Sequence, residues 1–147
     1  MKCDILLIKK GTVLYRANQS EHLPMNLLPN EGKFWANSIY FSDATTVFSL
    51  WNDTAHPYRL QVKAKRDMKC IFCDQYDFSS DAKELLLVCQ VERLIERTKP
   101  SDKPFMKWLG EEGYVFKCYA DEDMNTEYAV PFVLLNNENW EESKYSE

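Results

Sequence analysis

Three short segments each place one polar side chain within an otherwise apolar run. They are Val13-Leu14-Tyr15-Arg16-Ala17, Ser38-Ile39-Tyr40-Phe41-Ser42 and Thr126-Glu127-Tyr128-Ala129-Val130. Each run is typical of a β-strand, so the sequence predicts that Arg16, Tyr40 and Glu127 meet in one cleft. An arginine, a tyrosine and a glutamate together are suited to gripping a dinucleotide such as NAD and to stabilising a sugar cation.

Each of these residues also has an ordinary structural interpretation. The Arg16 guanidinium offers a rigid fork of donors to phosphate or ribose, but it is equally compatible with an edge strand facing water. Tyr40 is also typical of cross-strand packing. Trp51 is typical of the apolar face of a helix that packs on the core, and the alternative is that its ring stacks on a pyridinium ring. The Glu127 carboxylate can stabilise the positive charge of a loosening glycosidic bond, or it can simply be a solvated strand end.

The composition is that of one globular domain with no general affinity for nucleic acid. The chain has 147 residues, 45% of them hydrophobic and 28% charged, and a formal net charge of −5. No basic stripe stands out, which argues against sequence-specific or general nucleic-acid binding. No window is apolar enough to span a membrane, and the first residues do not resemble a signal peptide, so a cytoplasmic location is expected.

The five cysteines give no clear metal site. An odd number of cysteines without a secretion signal predicts reduced thiols. Cys70 and Cys73 have the spacing of a zinc half-site or a redox pair, but no second pair accompanies them, and His22 and His56 are distant in sequence. No metal cofactor is therefore predicted.

The order of elements predicts an α+β fold with many short strands and two or three helices. A loop over 18–33 either covers the adenosine half of a dinucleotide or is a plain surface excursion. Residues 1–135 are assigned to a single domain, and 136–147 to a polar tail that is expected to fray, with Trp140 pinning part of it. Strands are predicted over 5–8, 12–15, 58–64, 113–119 and 126–134, a strand or turn over 69–73, and helices over 44–52, 82–97 and 104–109.

With these segments in view, the chain resembles the ADP-ribosyltransferase superfamily, and most closely the catalytic domain of poly(ADP-ribose) polymerases and diphtheria-like toxins. Ser38-Ile39-Tyr40-Phe41-Ser42 resembles the strand that carries the tyrosine of the family's His-Tyr-Glu triad. Thr126-Glu127-Tyr128-Ala129-Val130 resembles the strand of its catalytic glutamate, and Gly113-Tyr114-Val115-Phe116-Lys117 resembles a segment that often precedes it. The first-strand His-Gly is here Arg16-Ala17, which is similar to the arginine of cholera-toxin-like members.

The resemblance implies a split β-sandwich with two or three short helices and an NAD cleft between its halves. It implies Glu127, Tyr40 and Arg16 as catalytic residues, and Arg16, Ala17, Tyr40, Phe48 and Trp51 as residues that bind NAD. Trp51 falls on the family's nicotinamide-stacking tyrosine. Phe48 falls on the serine that usually binds the nicotinamide amide.

The implied activity is mono-ADP-ribosylation, in which NAD is cleaved at the nicotinamide glycosidic bond and ADP-ribose passes to a macromolecular acceptor, with a protein favoured. The likeness extends to small phage and bacterial effectors, which would act in the cytoplasm of a host. Two alternatives remain open at this point. One is an NAD glycohydrolase toxin that uses water as acceptor, and the other is a catalytically inactive module that binds NAD or ADP-ribose.

Overall fold

The computed structural model of the chain describes residues 1–146. Short strands dominate it, and the predicted α+β class is confirmed. A 3-10 turn at Phe132–Leu134 accompanies the regular elements. The strands are β1 (Cys3–Ile8), β2 (Val13–Asn18), β3 (Ser38–Phe41), β4 (Tyr58–Ala64), β5 (Met68–Cys73), β6 (Tyr114–Tyr119), β7 (Thr126–Pro131) and β8 (Trp140–Lys144), and the helices are α1 (Val47–Leu50), α2 (Asp81–Ile95) and α3 (Phe105–Glu111).

The strands form two sheets. A five-stranded sheet has the order β1-β5-β6-β7-β3, and a three-stranded sheet has the order β2-β4-β8. Every pairing is antiparallel except β5 with β6, which are joined through α2 and α3 as a parallel pair requires. The predicted turn after β1 is present, and Gly11 adopts the positive φ of 94° that favours glycine. This turn moves the chain from one sheet to the other, so β1 and β2 do not pair.

The five-stranded sheet has a hydrophobic core on each face, because successive side chains of a strand point in opposite directions. On β7, Tyr128 and Val130 join a core shared with the three-stranded sheet, which includes Leu14, Leu60 and Trp140. The intervening Ala129 joins a second core beneath α2 and α3. Glu127 lies two residues before Ala129 in the same strand, so both side chains point to the same face of the sheet. Glu127 therefore faces the side on which the helices pack.

The helices begin and end close to the predicted positions, apart from α1. The side chain of Ser80 caps α2 by accepting a hydrogen bond from the amide of Lys83, and Asp81 and Glu84 place negative charge in its first turn. The helix predicted over 44–52 is shortened to the four residues of α1. The residues on either side of α1 form tight turns instead of continuing the helix.

Two expectations about the chain are wrong. Residues 140–144 of the predicted frayed tail form β8, which pairs along β4 and buries Trp140 completely. Cys3 and Cys73 are joined by a disulfide, so the expectation of five reduced thiols fails for this pair. Both cysteines lie opposite one another in the β1–β5 register, which brings them within bonding distance. Cys70, Cys89 and Cys118 are free thiols.

Candidate active site

Within residues 1–146, one backbone bridge pairs the two sheets, between Tyr15 of β2 and Ser42, which directly follows β3. The amide of Tyr15 donates to the carbonyl of Ser42 over 2.7 Å, and the amide of Ser42 donates to the carbonyl of Tyr15 over 2.8 Å. Beyond this bridge the strands diverge into their separate sheets. The divergence leaves a cleft, lined in part by Arg16 and Ala17, which follow the bridge on β2, and by Tyr40 and Phe41, which precede it on β3.

The cleft has a volume of about 260 Å³ and brings together five of the six predicted site residues. Arg16 and Ala17 come from β2, Tyr40 from β3, Glu127 from the start of β7, and Trp51 directly follows α1. The residues lie far apart in the sequence, so the fold itself assembles them. The remaining lining residues are Tyr15, Phe41, Ser42, Asp43, Ala44, Thr46, Val47, Leu50, His56, Ala120, Asp121, Asn125 and Thr126.

Phe48 is the predicted site residue that does not line the cleft. It is buried, and its ring packs at 4.8 Å from the ring of Tyr145 and at 6.0 Å from that of Tyr15. The short α1 turns Phe48 inward while it leaves Val47, Leu50 and Trp51 on the cleft wall. Phe48 therefore packs behind the wall and does not line the cleft, unlike the other five predicted site residues.

Arg16 is held rigidly at the junction of the sheets. Its Nε donates to Asn18 Oδ1 and its Nη1 donates to the carbonyl of Tyr40, each over 2.9 Å. The Nη2 group makes no hydrogen bond within residues 1–146, so it can donate to a ligand in the cleft. Burial lowers the pKa of the Arg16 guanidinium, and the nearby Glu127 carboxylate opposes that shift. The guanidinium stays charged at any ordinary pH.

Glu127 is half-buried, and its carboxylate has no hydrogen-bond partner in the described part of the chain. It lies opposite Cys118 in the β6–β7 register. Burial raises the pKa of the Glu127 carboxyl, and the charge of Arg16 counters this only in part. No ion pair joins the two residues within residues 1–146. The carboxylate thus keeps both oxygens available for a ligand that carries hydroxyl groups or positive charge.

Tyr40 presents a neutral phenol to the same space. Burial raises the pKa of Tyr40 to about 12, and the neighbouring Glu127 charge acts in the same direction while a hydrogen bond with Ser38 opposes it. A phenol with this pKa remains protonated at neutral pH and can donate a hydrogen bond. Its backbone carbonyl holds Arg16, so one residue fixes the cation and lines the cleft.

Trp51 and His56 also line the cleft. The Trp51 side chain is 52% exposed, which leaves its ring accessible, and it contacts the His56 ring edge-on at 5.1 Å. His56 Nδ1 lies 2.9 Å from Asp53 Oδ1, and the same oxygen accepts the amide of His56. His56 and Asp53 are not among the site residues predicted from the sequence. Their three-residue spacing before Pro57 is the signal that could have identified this turn.

Asp121 and Asn125 form the rim next to Glu127. The Asn125 Nδ2 group donates to Asp121 Oδ2 over 2.9 Å, and the carbonyl of Asn125 accepts the amide of Ala120 over 2.6 Å. These bonds close the loop between β6 and β7 and fix the entry of Glu127 into its strand.

Within residues 1–146, no group of three or more histidine, cysteine or acidic side chains is arranged to hold a metal ion. Over the same residues, none of the helices has the length and apolar character needed to cross a bilayer. No protein-family model matches this chain, and no curated protein is significantly similar to it in sequence.

Proposed function

We propose that this protein is a mono-ADP-ribosyltransferase that uses NAD as its donor substrate. One observation carries the proposal: Arg16, Tyr40 and Glu127, which come from three strands distant in sequence, line one cleft together with the accessible ring of Trp51. This set supplies a cation, a neutral hydroxyl donor, an unpaired carboxylate and an aromatic surface. The family resemblance of the three strands, and the split β-sandwich that it implies, point to the same activity.

The cleft accommodates only part of the dinucleotide. Pockets that enclose drug-sized ligands measure roughly 300–1,000 Å³, and this cleft measures about 260 Å³. We therefore assign it to the nicotinamide and its ribose, with the ring between Tyr40 and Trp51. Arg16 would hold the ribose or the first phosphate, and the adenosine half would extend past Asn18 toward the loop over 19–37.

Glu127 would supply the main stabilisation of the transition state. When the glycosidic bond to nicotinamide loosens, positive charge develops on the ribose, and nicotinamide leaves as a neutral molecule with the bonding electrons. A carboxylate that is already desolvated and unpaired stabilises that charge strongly, because no water must be reorganised at the moment of reaction. The same residue can hydrogen-bond a ribose hydroxyl and so orient the sugar. The acceptor, a group on a macromolecule, then attacks the anomeric carbon.

The direct test is to incubate the protein with labelled NAD and a cell extract and to compare the wild type with Glu127→Gln. We expect the wild type to release nicotinamide and to label macromolecules. We expect Glu127→Gln to be slower by about 100-fold or more, as when a group that stabilises transition-state charge is removed. Glu141→Gln, which changes an exposed glutamate on β8, is the matched control and should retain wild-type activity.

The outcomes separate the three candidate activities. Release of nicotinamide without labelling would favour the glycohydrolase, and binding of unchanged NAD in calorimetry would favour the inactive binding module. Neither binding nor turnover of NAD would contradict the proposal, as would wild-type activity in Glu127→Gln.

A further inference from the structure

A second hollow opens on the other side of Tyr40 and Glu127. This groove has a volume of about 430 Å³, and both residues line it as well as the cleft. Tyr40 and Glu127 therefore separate the groove from the cleft and line both of them. The groove is lined by Trp35, Tyr40, Tyr76, Asp77, Phe78, Ser79, Cys118, Tyr119 and Glu127.

Aromatic rings make up most of the groove. Trp35 and Phe78 have their ring centroids 5.3 Å apart, and Trp35 packs from behind on Phe116 at 5.5 Å. Tyr76 lies at the mouth, where it is 48% exposed and has no ring contact within the described residues. Faces of aromatic rings carry partial negative charge and attract cations.

The charged groups of the groove are of one sign. Among the described residues, the lining contains the carboxylates of Glu127 and Asp77 and no lysine, arginine or histidine. Lys83 Nζ forms an ion pair with Asp77 Oδ2 at 2.5 Å. The Glu127 carboxylate, in contrast, has no hydrogen-bond or ion-pair partner in residues 1–146. The groove thus combines aromatic faces with one carboxylate that no hydrogen bond or ion pair holds and that Arg16 offsets only in part, which favours a positively charged occupant.

The wall of the groove is rigid before any ligand arrives. Residues 74–80 form it, and at their start Asp74 exchanges hydrogen bonds with Lys2 of 2.6 and 3.0 Å. In the middle, Gln75 Nε2 donates to the carbonyl of Asp77, and the carbonyl of Gln75 accepts the amide of Tyr119. At the end, Ser80 caps α2. A wall that is already ordered loses little conformational entropy when a ligand binds.

We propose that this groove binds a cationic side chain, lysine or arginine, of the macromolecule that receives ADP-ribose. The identification of the occupant as the acceptor rests on the proposed function. The binding of the cation rests on the groove alone. A basic residue held against Trp35 and Tyr76 with its charge near Glu127 would place the acceptor next to the anomeric carbon in the cleft. The anchoring side chain and the modified atom need not be the same group.

The test measures binding in the absence of NAD, so it is independent of turnover. The ¹⁵N-labelled protein is titrated with N-acetyl-arginine methylamide, with N-acetyl-lysine methylamide, and with the neutral N-acetyl-citrulline methylamide. We expect both cations to shift the Trp35 indole signal and the amides of 76–79, with an affinity at least fivefold above that of the citrulline probe. A stronger effect of the arginine probe would identify a planar guanidinium as the preferred occupant, and a stronger effect of the lysine probe would identify an ammonium.

Two variants and a control complete the experiment. Tyr76→Ala removes an exposed ring with little risk to the fold, and it should weaken binding of both cations about fivefold. Glu127→Gln should also weaken it, because it removes the negative charge of the Glu127 carboxylate. Tyr58→Ala, which removes a ring of similar exposure on β4, should change nothing. Equal shifts from citrulline, shifts located elsewhere, or an unaffected Tyr76→Ala would overturn the proposal even if NAD is turned over.

Discussion

Glu127 is the residue at which stability and chemistry conflict. A carboxylate removed from water needs hydrogen bonds or a counter-charge to compensate for its lost hydration. Glu127 is half-buried, accepts no hydrogen bond within residues 1–146 and is only partly offset by Arg16, which is why burial raises its pKa. Because no side chain or amide binds the carboxylate, its charge remains available to an incoming sugar cation.

We expect Glu127→Gln to stabilise the protein near neutral pH. Because the pKa of Glu127 is higher in the folded chain than in the unfolded chain, the folded state holds more protons between those two values. The ionised carboxylate therefore lowers the free energy of unfolding as pH rises through the raised pKa, and a neutral amide avoids that cost. Thermal unfolding should show a higher Tm for the variant at pH 7, and this difference should shrink as the pH is lowered through the raised pKa toward the unfolded-state value. A lower Tm for the variant at pH 7 would contradict this account.

The residues of the cleft could be predicted from the sequence where a polar side chain interrupts an apolar strand. Arg16, Tyr40 and Glu127 were identified in that way, and their strands have the expected positions. The assignment of Phe48 rests on the family resemblance alone, and in the structure its side chain packs behind the cleft wall. His56 and Asp53 lie in a turn, where side-chain direction depends on local hydrogen bonds rather than on a period of two or 3.6 residues.

At the scale of elements, β8 shows what local sequence cannot determine. Four of its five residues are polar, and its only large apolar residue is Trp140. It becomes a strand because β4 offers an open edge and because Trp140 fills the core between the two sheets. Strand propensity depends on such neighbours, and a single sequence does not contain them.

Trp140 should therefore contribute much of the stability of the three-stranded sheet. Trp140→Ala is expected to lower the free energy of unfolding by about 3–5 kcal/mol, the range for a large aromatic removed from a packed core. Trp140→Phe should cost far less, because it keeps a ring and eliminates an indole Nε1 that has no hydrogen-bond partner in residues 1–146. Urea unfolding of both variants measures the difference. A small loss in Trp140→Ala would show that β8 is dispensable.

At the scale of the whole molecule, the disulfide and the cleft lie at opposite edges of the five-stranded sheet. The order β1-β5-β6-β7-β3 places the Cys3–Cys73 link on the first two strands and Tyr40 on the last. One edge of the sheet is thus covalently closed, whereas the other is joined to the second sheet by a single bridge. The arrangement could not be predicted from cysteine spacing, because the two cysteines are paired by strand register across 70 residues.

The disulfide should stabilise the fold mainly by restricting the unfolded chain. Cys3 and Cys73 are separated by 70 residues, and closing a loop of that length is worth up to about 4 kcal/mol on the chain-entropy model. Urea unfolding of the wild type should shift to lower denaturant when dithiothreitol is added, and Cys3→Ser should match the reduced wild type and no longer respond to the reductant. Cys89→Ser, which removes a free thiol on α2, should respond like the wild type. If dithiothreitol leaves wild-type unfolding unchanged, the two thiols are not linked in solution, and the first strand is held to the sheet by its backbone hydrogen bonds and side-chain packing alone.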